Sequence, residues 1–257
     1  MLHLAFDGAV ARLTLDAPGR LNALDLATWR DLRERFVELA ARDDIHCVVL
    51  RGAGGNFAAG ADISEFPRER FDRSSGRRYH LELIAPALAA IRDAPQPVVA
   101  AIEGACVGGG LEIASVCDLR IAAAGSRLGA PVGKLGFPLA LPELAPLLRL
   151  VGTGVASELL LAGRLLDASE ALSKGLVQRV VPADALDAAV AETVQGILAG
   201  SPLAARLNKR NLRMLAEQGG RFSETQLADS FAFFESADYT EGMRAFLERR
   251  RPRFTGT

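Results

Sequence analysis

Two short glycine-containing stretches hold the residues best suited to chemistry. The first is residues 56–63, Asn-Phe-Ala-Ala-Gly-Ala-Asp-Ile, and the second is residues 103–112, Glu-Gly-Ala-Cys-Val-Gly-Gly-Gly-Leu-Glu. With so little side chain in the way, a ligand can approach the main chain closely. The triple glycine 108–110 leads into an apolar, helix-like run at 111–117. A helix N-terminus carries free N–H groups and the positive end of the helix dipole, so this junction suits the stabilisation of negative charge. Glu112 sits there as a candidate acid or base, although a first-turn glutamate is favoured by the dipole in any helix. Glycine-rich turns between a strand and a helix also occur for tight packing alone. A third cluster, Gly52-Ala53-Gly54-Gly55, suggests a dinucleotide fingerprint, but the sixth position of that frame is Phe57 and no helix pattern follows. That reading is rejected.

The elements that must position these loops can be read from periodicity. Residues 2–6 and 10–15 alternate apolar and polar around Asp7-Gly8, a hairpin signal. Residues 24–40 have helical spacing through Leu24, Trp29, Leu32, Phe36 and Leu39, with Asp25 near the positive end. Short apolar runs at 47–51, 98–102 and 119–123 read as buried strands, and the two glycine loops follow the first two of these. Residues 67–76 are charged and poorly periodic, which predicts a mobile surface segment before a helix at 79–91. From Thr153 onward the pattern is mainly helical: 154–162, 168–174, 183–198, 202–218, 223–236 and 240–250. Ser201-Pro202 is a good N-cap and first-turn pair. Mixed strands and helices followed by helices alone predict an α/β core over 1–200 and a helical appendage over 201–257.

Composition narrows the class of function. The 257 residues are 49% hydrophobic and 24% charged, and 30 Lys and Arg nearly cancel 31 Asp and Glu for a net charge of −1. A dedicated nucleic-acid binder usually carries a clear basic excess, so no nucleic-acid partner is expected. Cys47, Cys106 and Cys117 form no ligand-like pair, and His3, His46 and His80 are scattered without an HExxH or CxxC motif. No metal site is expected, and a reduced, intracellular setting is the simpler reading. Neither a signal peptide nor a membrane span is visible, which points to a cytoplasmic protein.

Taken in order, the motifs resemble those of the crotonase superfamily, the enoyl-CoA hydratase/isomerase family. The likeness rests on Leu21-Asn22-Ala23-Leu24, Ala59-Gly60-Ala61-Asp62-Ile63, Gly104 with Gly108-Gly109-Gly110-Leu111-Glu112, and Cys117-Asp118. It continues through Ala168 to Gly175-Leu176-Val177, then Ser236, Asp238, Glu241-Gly242, Ala245-Phe246, Arg249-Arg250, Pro252 and Phe254. The resemblance implies an α/β spiral of ββα units, with C-terminal helices that pack homotrimers, commonly paired into hexamers. It implies an acyl-CoA thioester as substrate and no separate cofactor, since coenzyme A arrives with the substrate. Ala61 and Gly109 would then supply two N–H groups to the thioester oxygen, where an enolate develops. One such fixed donor is commonly worth about 3 kcal/mol. By the same likeness, Ala23, Ala59, Asp62 and Ile63 would line the path of the pantetheine and adenine. Arg20, Arg249 and Arg250 would be candidates for the phosphates, the last two from the same or a neighbouring subunit, with Phe254 beside the adenine. Arginine forks suit phosphate oxygens, while a solvated basic tail is the competing account of 249–253.

One position departs from the pattern. Hydratases of the family resemble one another in two glutamates facing the substrate double bond, and Glu112 falls on the first. The second is expected after Pro131, where the chain reads Pro131-Val132-Gly133-Lys134. Val132 cannot carry a proton. Glu143, ahead of another helical run, is a candidate substitute, against the alternative of an exposed first-turn glutamate. Hydration with Glu112 as the main acid/base leads. Isomerisation or another enolate-based step comes second, and an acyl-CoA-binding protein with weak or no hydratase activity third.

Overall fold

The computed structural model describes all 257 residues. A hairpin of β1 (Leu2–Asp7) and β2 (Val10–Leu15) precedes α1 (Leu26–Ala40) and β3 (Cys47–Gly52). A 3₁₀ turn, Ile63–Glu65, then leads through α2 (Phe66–Glu69) and α3 (Arg73–Arg78) into a π-helical turn, Tyr79–Ile84, and α4 (Ala85–Asp93). Two units of strand, strand and helix follow: β4 (Val98–Ile102), β5 (Ala105–Val107) and α5 (Gly109–Val116), then β6 (Leu119–Ala123), β7 (Arg127–Gly129) and α6 (Leu141–Leu160). The core closes with β8 (Leu165–Asp167), α7 (Ala168–Ser173), β9 (Arg179–Val181) and α8 (Leu186–Leu198). Helices α9 (Pro202–Gln218), α10 (Glu224–Ser230) and α11 (Ala237–Leu247) complete the chain.

Each of the two ββα units sends its first strand to one sheet and its second to another. One has six strands in the order β1-β2-β3-β4-β6-β9, the other three in the order β5-β7-β8. Strands β2, β3, β4, β6 and β9 pair in parallel, with β1 antiparallel at the edge. A parallel sheet covered on both faces needs apolar residues at every position, and that explains the unbroken runs at β3 and β4. Successive side chains divide between the faces. Val48, Leu50, Val98, Ala100 and Ile102 join the main core with Trp29, Leu32 and Phe36 of α1. Cys47, Val49, Val99 and Ala101 face Leu186, Ala189, Val190 and Val194 of α8.

Several elements depart from periodicity alone. Residues 67–76 are helical in part, because Asp72 and Ser75 form a reciprocal capping box that starts α3. Helix α6 begins at Leu141, well before the expected 154, and is broken at Gly152, where φ is 72° and ψ 171°. Pro142, Pro146 and Gly152 hide that element from a propensity reading. The strands β8 and β9, three residues each, are too short to show alternation. No helix is long and apolar enough to cross a membrane.

Asp25 caps α1 directly: its carboxylate accepts from the Thr28 N–H at 2.8 Å and from the Thr28 hydroxyl at 2.7 Å. Asp25→Ala is expected to lower stability by about 1 kcal/mol, read as a lower urea midpoint with an unchanged slope.

Candidate active site

The two glycine loops run side by side. Ala58 bridges Cys106, with the Ala58 N–H donating to Ala105 O and the Val107 N–H to Ala58 O, both at 2.9 Å. A further bridge joins Leu24 and Ala61, through Leu24 N–H to Gly60 O at 2.8 Å and Asp62 N–H to Leu24 O at 2.9 Å. The Ala61 N–H takes no part in that bridge and has no acceptor in the chain. Nor does the N–H of Gly109, which opens α5. Two glycines permit this close packing. Gly60 has a φ of +106°, and a Cβ there would lie 3.2 Å from Val107 O; one on Gly110 would lie 2.3 Å from Ala58 O. Any side chain at these positions would push the loops apart, and the two free donors with them.

Both free N–H groups belong to residues lining one cavity of about 240 Å³. Glu112, in the first turn of α5, lines it too, as does Glu143 in the first turn of α6. Glu143 is 1% exposed, so the exposed first-turn alternative fails. Its Oε1 is 2.6 Å from His80 Nδ1, and its Oε2 accepts from the Ala140 N–H at 3.3 Å. Val132, also in the wall, is buried and offers only an apolar surface.

Burial, followed by the negative charge of Glu143, pushes the Glu112 carboxyl well above its ordinary 4.5, with Arg70 opposing. Folded protein therefore holds the Glu112 proton more tightly than unfolded chain. The associated stabilisation is complete below the ordinary glutamate range and is lost as pH rises through the folded value. Glu112→Gln is accordingly expected to unfold at a higher temperature than the parent, with a gap that widens as pH increases. Thermal melts across a pH series measure this, and a gap independent of pH would refute it.

The other anticipated residues divide into two groups. Ala59 and Ile63 share the cavity wall with Ala61, Gly109, Glu112 and Glu143. Asp62 instead caps the Ile63–Glu65 turn and accepts from Arg20 at 2.5 Å, while Arg20 also lies 3.7 Å from Asp25. Ala23 sits in the same bend, its N–H donating to Arg20 O at 2.9 Å. Arg250 and Phe254 line separate cavities at the C-terminus, so within one chain they do not meet Glu112. The tail is not simply a solvated charge run. Arg250 is paired with Glu241 at 2.6 Å and with Glu248 at 2.5 Å. Hydrogen bonds from Arg250, Arg244 and the Arg253 N–H hold the Glu241 carboxyl below the usual range. Arg249 is exposed, with a φ of 54°.

Periodicity missed Trp29, Arg70, Tyr79 and His80 as cavity residues. Arg70 came from the segment read as mobile, and Trp29 from a helix read only as core. Tyr79 and His80 are adjacent, and both reach the cavity from the π turn, a local widening often found at functional sites. One weak signal was available: His80 is the second residue of a helical run whose apolar pattern does not require it.

Comparison with known proteins bears on the family and the fold. Residues 5–257 match the family model described as enoyl-CoA hydratase/isomerase. The short-chain-enoyl-CoA hydratase of Clostridium acetobutylicum is 34% identical over 251 residues, which cover 95% of this chain and 94% of that protein. An enoyl-CoA hydratase/carnithine racemase structure from Magnetospirillum magneticum is 45% identical, with a TM-score of 0.97 over 100% of this chain and 96% of that one. The enoyl-CoA hydratase structure from Bacillus anthracis is 30% identical, with a TM-score of 0.89 over 100% of this chain and 99% of that one. The fold is thus that of crotonase-type enzymes, and the chain belongs to the enoyl-CoA hydratase/isomerase family.

Proposed function

We propose that the protein hydrates 2-enoyl-CoA thioesters, with Glu112 as the main acid/base. The observation that carries this reading is the lining of one cavity by two carboxylates together with two N–H donors lacking acceptors. The thioester oxygen lies between the Ala61 and Gly109 N–H groups. Water adds its oxygen to C3 and gives its proton to Glu143, and the electrons of the double bond move onto the thioester oxygen as an enolate. Glu112, whose carboxyl burial pushes upward so that it holds its proton more tightly, delivers that proton to C2 and the enolate collapses. Proton exchange from Glu143 to Glu112 then restores the starting state. His80 keeps Glu143 turned into the cavity. No metal or redox group is called for.

One observation favours a second reading. Both Glu143 oxygens are already engaged, by His80 and by the Ala140 N–H, which leaves Glu112 as the freer carboxylate. A single carboxylate suffices to carry a proton between C4 and C2, as in 3-enoyl to 2-enoyl isomerisation. Incubation with crotonyl-CoA, following loss of the conjugated absorbance, tests hydration directly. Turnover of 3-enoyl-CoA without turnover of crotonyl-CoA would transfer the assignment to isomerisation. Tight thioester binding with neither reaction would leave a binding protein.

The reading extends to assembly as a homotrimer or a dimer of trimers. The C-terminal region leaves Phe231, Phe246 and Leu247 exposed, Phe246 at 79%, more apolar surface than a lone subunit would usually present. Association would also bring Arg249, Arg250 and Phe254 to a neighbouring coenzyme. Light scattering tests this, and a monomer would count against it.

A further inference from the structure

The cavity that holds Glu112 and Glu143 also contains a guanidinium that no carboxylate of the chain contacts as an ion pair. Arg70, half-buried, lines this cavity and makes neither an ion pair nor a side-chain hydrogen bond. Its guanidinium carbon lies 4.3 Å from the ring centroids of both Phe66 and Phe137, and 5.4 Å from that of Tyr79. Aromatic faces hold a guanidinium in place without consuming its N–H donors, which remain in the plane of the group. The Tyr79 side chain adds a second observation. It is 5% exposed and lines the same cavity, yet its hydroxyl has no partner. A buried hydroxyl without a partner is costly unless something that enters the site satisfies it. The cavity's other buried side-chain donor without a partner, Trp29 Nε1, belongs to the ring packed against Gly109, and so to the thioester end, while Lys134, the second cation of the lining, is exposed. Ile84, Leu135 and Leu139 add apolar wall to the same cavity, and the His80 ring lies 5.4 Å from that of Tyr79.

Resting on the acyl-CoA reading above, we propose that the acyl group taken here is short and ends in a carboxylate, received by the Arg70 guanidinium and the Tyr79 hydroxyl. The substrate class is the coenzyme A monothioester of a short dicarboxylic enoic acid. A terminal carboxylate supplies the acceptors that the guanidinium fork and the phenol lack. A plain alkyl chain would fill the apolar wall but leave both donors unsatisfied.

Binding of saturated thioesters tests this without depending on turnover. Calorimetry compares glutaryl-CoA with pentanoyl-CoA, which have equal carbon counts and differ in the terminal carboxylate. Glutaryl-CoA is expected to bind the parent protein roughly ten- to a hundredfold more tightly. In Arg70→Gln the preference is expected to collapse through loss of glutaryl-CoA affinity, and Arg70→Lys should keep part of it. Equal or tighter binding of pentanoyl-CoA by the parent protein would overturn the proposal whether or not the variants fold. A preference that survives in Arg70→Gln would overturn it as well. If neither thioester binds, the acyl-CoA reading itself fails and this inference falls with it. Selective binding of pentanoyl-CoA would instead leave that reading standing.

Discussion

Glu112→Gln is expected to lower kcat for crotonyl-CoA by about 10²- to 10⁴-fold, with little change in thioester affinity. The substitution keeps the volume and the polar outline of the side chain, so the wall of the cavity is preserved. What it removes is the exchangeable proton. Burial and the adjacent Glu143 charge keep the Glu112 carboxyl protonated well into the pH range where an ordinary glutamate is ionised. The amide cannot give up a proton to C2 or recover one. The free N–H groups of Ala61 and Gly109 remain, so a residual rate should persist through their stabilisation of the enolate. Steady-state kinetics on the purified variant check this. An unchanged kcat would remove Glu112 from the chemistry.

Glu143→Gln is expected to lower kcat within the same range of about 10²- to 10⁴-fold if Glu143 takes the water proton. His80→Ala should act less severely, by about ten- to a hundredfold, because it releases the orientation of Glu143 without removing the carboxylate. The pair separates chemistry from mere support of α6, since Glu143 also reaches the Ala140 N–H at the start of that helix. A structural role alone would lower the melting temperature and leave kcat nearly intact. A double Glu112→Gln, Glu143→Gln variant should be scarcely worse than the poorer single one, as expected when two groups act in one step. Full retention of hydration by Glu143→Gln, with loss of activity only in Glu112→Gln, would favour a single-carboxylate reaction.

Much of this arrangement was readable from residue order. The mainly apolar runs at 47–51, 98–102 and 119–123 declared buried strands, and the structure pairs them in parallel, as a sheet covered on both faces favours. The small residues around Gly60 and Gly108–Gly110 marked two loops whose main chains a ligand could approach closely, and the tertiary structure joins the loops through Ala58 and Cys106. Asp25 announced the start of α1 by local hydrogen bonding alone. These features depend on contacts within a few residues, or on one repeated burial rule, so a linear pattern records them.

The second half of the site is different in kind. Nothing in the neighbourhood of Glu143 tells whether a first-turn glutamate faces solvent or a cavity, because the helix dipole favours it either way. Its inward orientation is set by His80, 63 residues earlier, and by the packing of α6 against α5. Arg70 likewise lies in a stretch of charge with no periodicity, and its place in the cavity depends on rings at positions 66, 79 and 137. Sequence by itself determined the scaffold and, through its resemblance to the crotonase superfamily, named Ala61 and Gly109 as candidate backbone donors and Val132 as the place where a second carboxylate was expected. Only the tertiary structure decided which distant side chains fill the space beside Val132, because that choice is made by burial and charge among elements far apart in the chain.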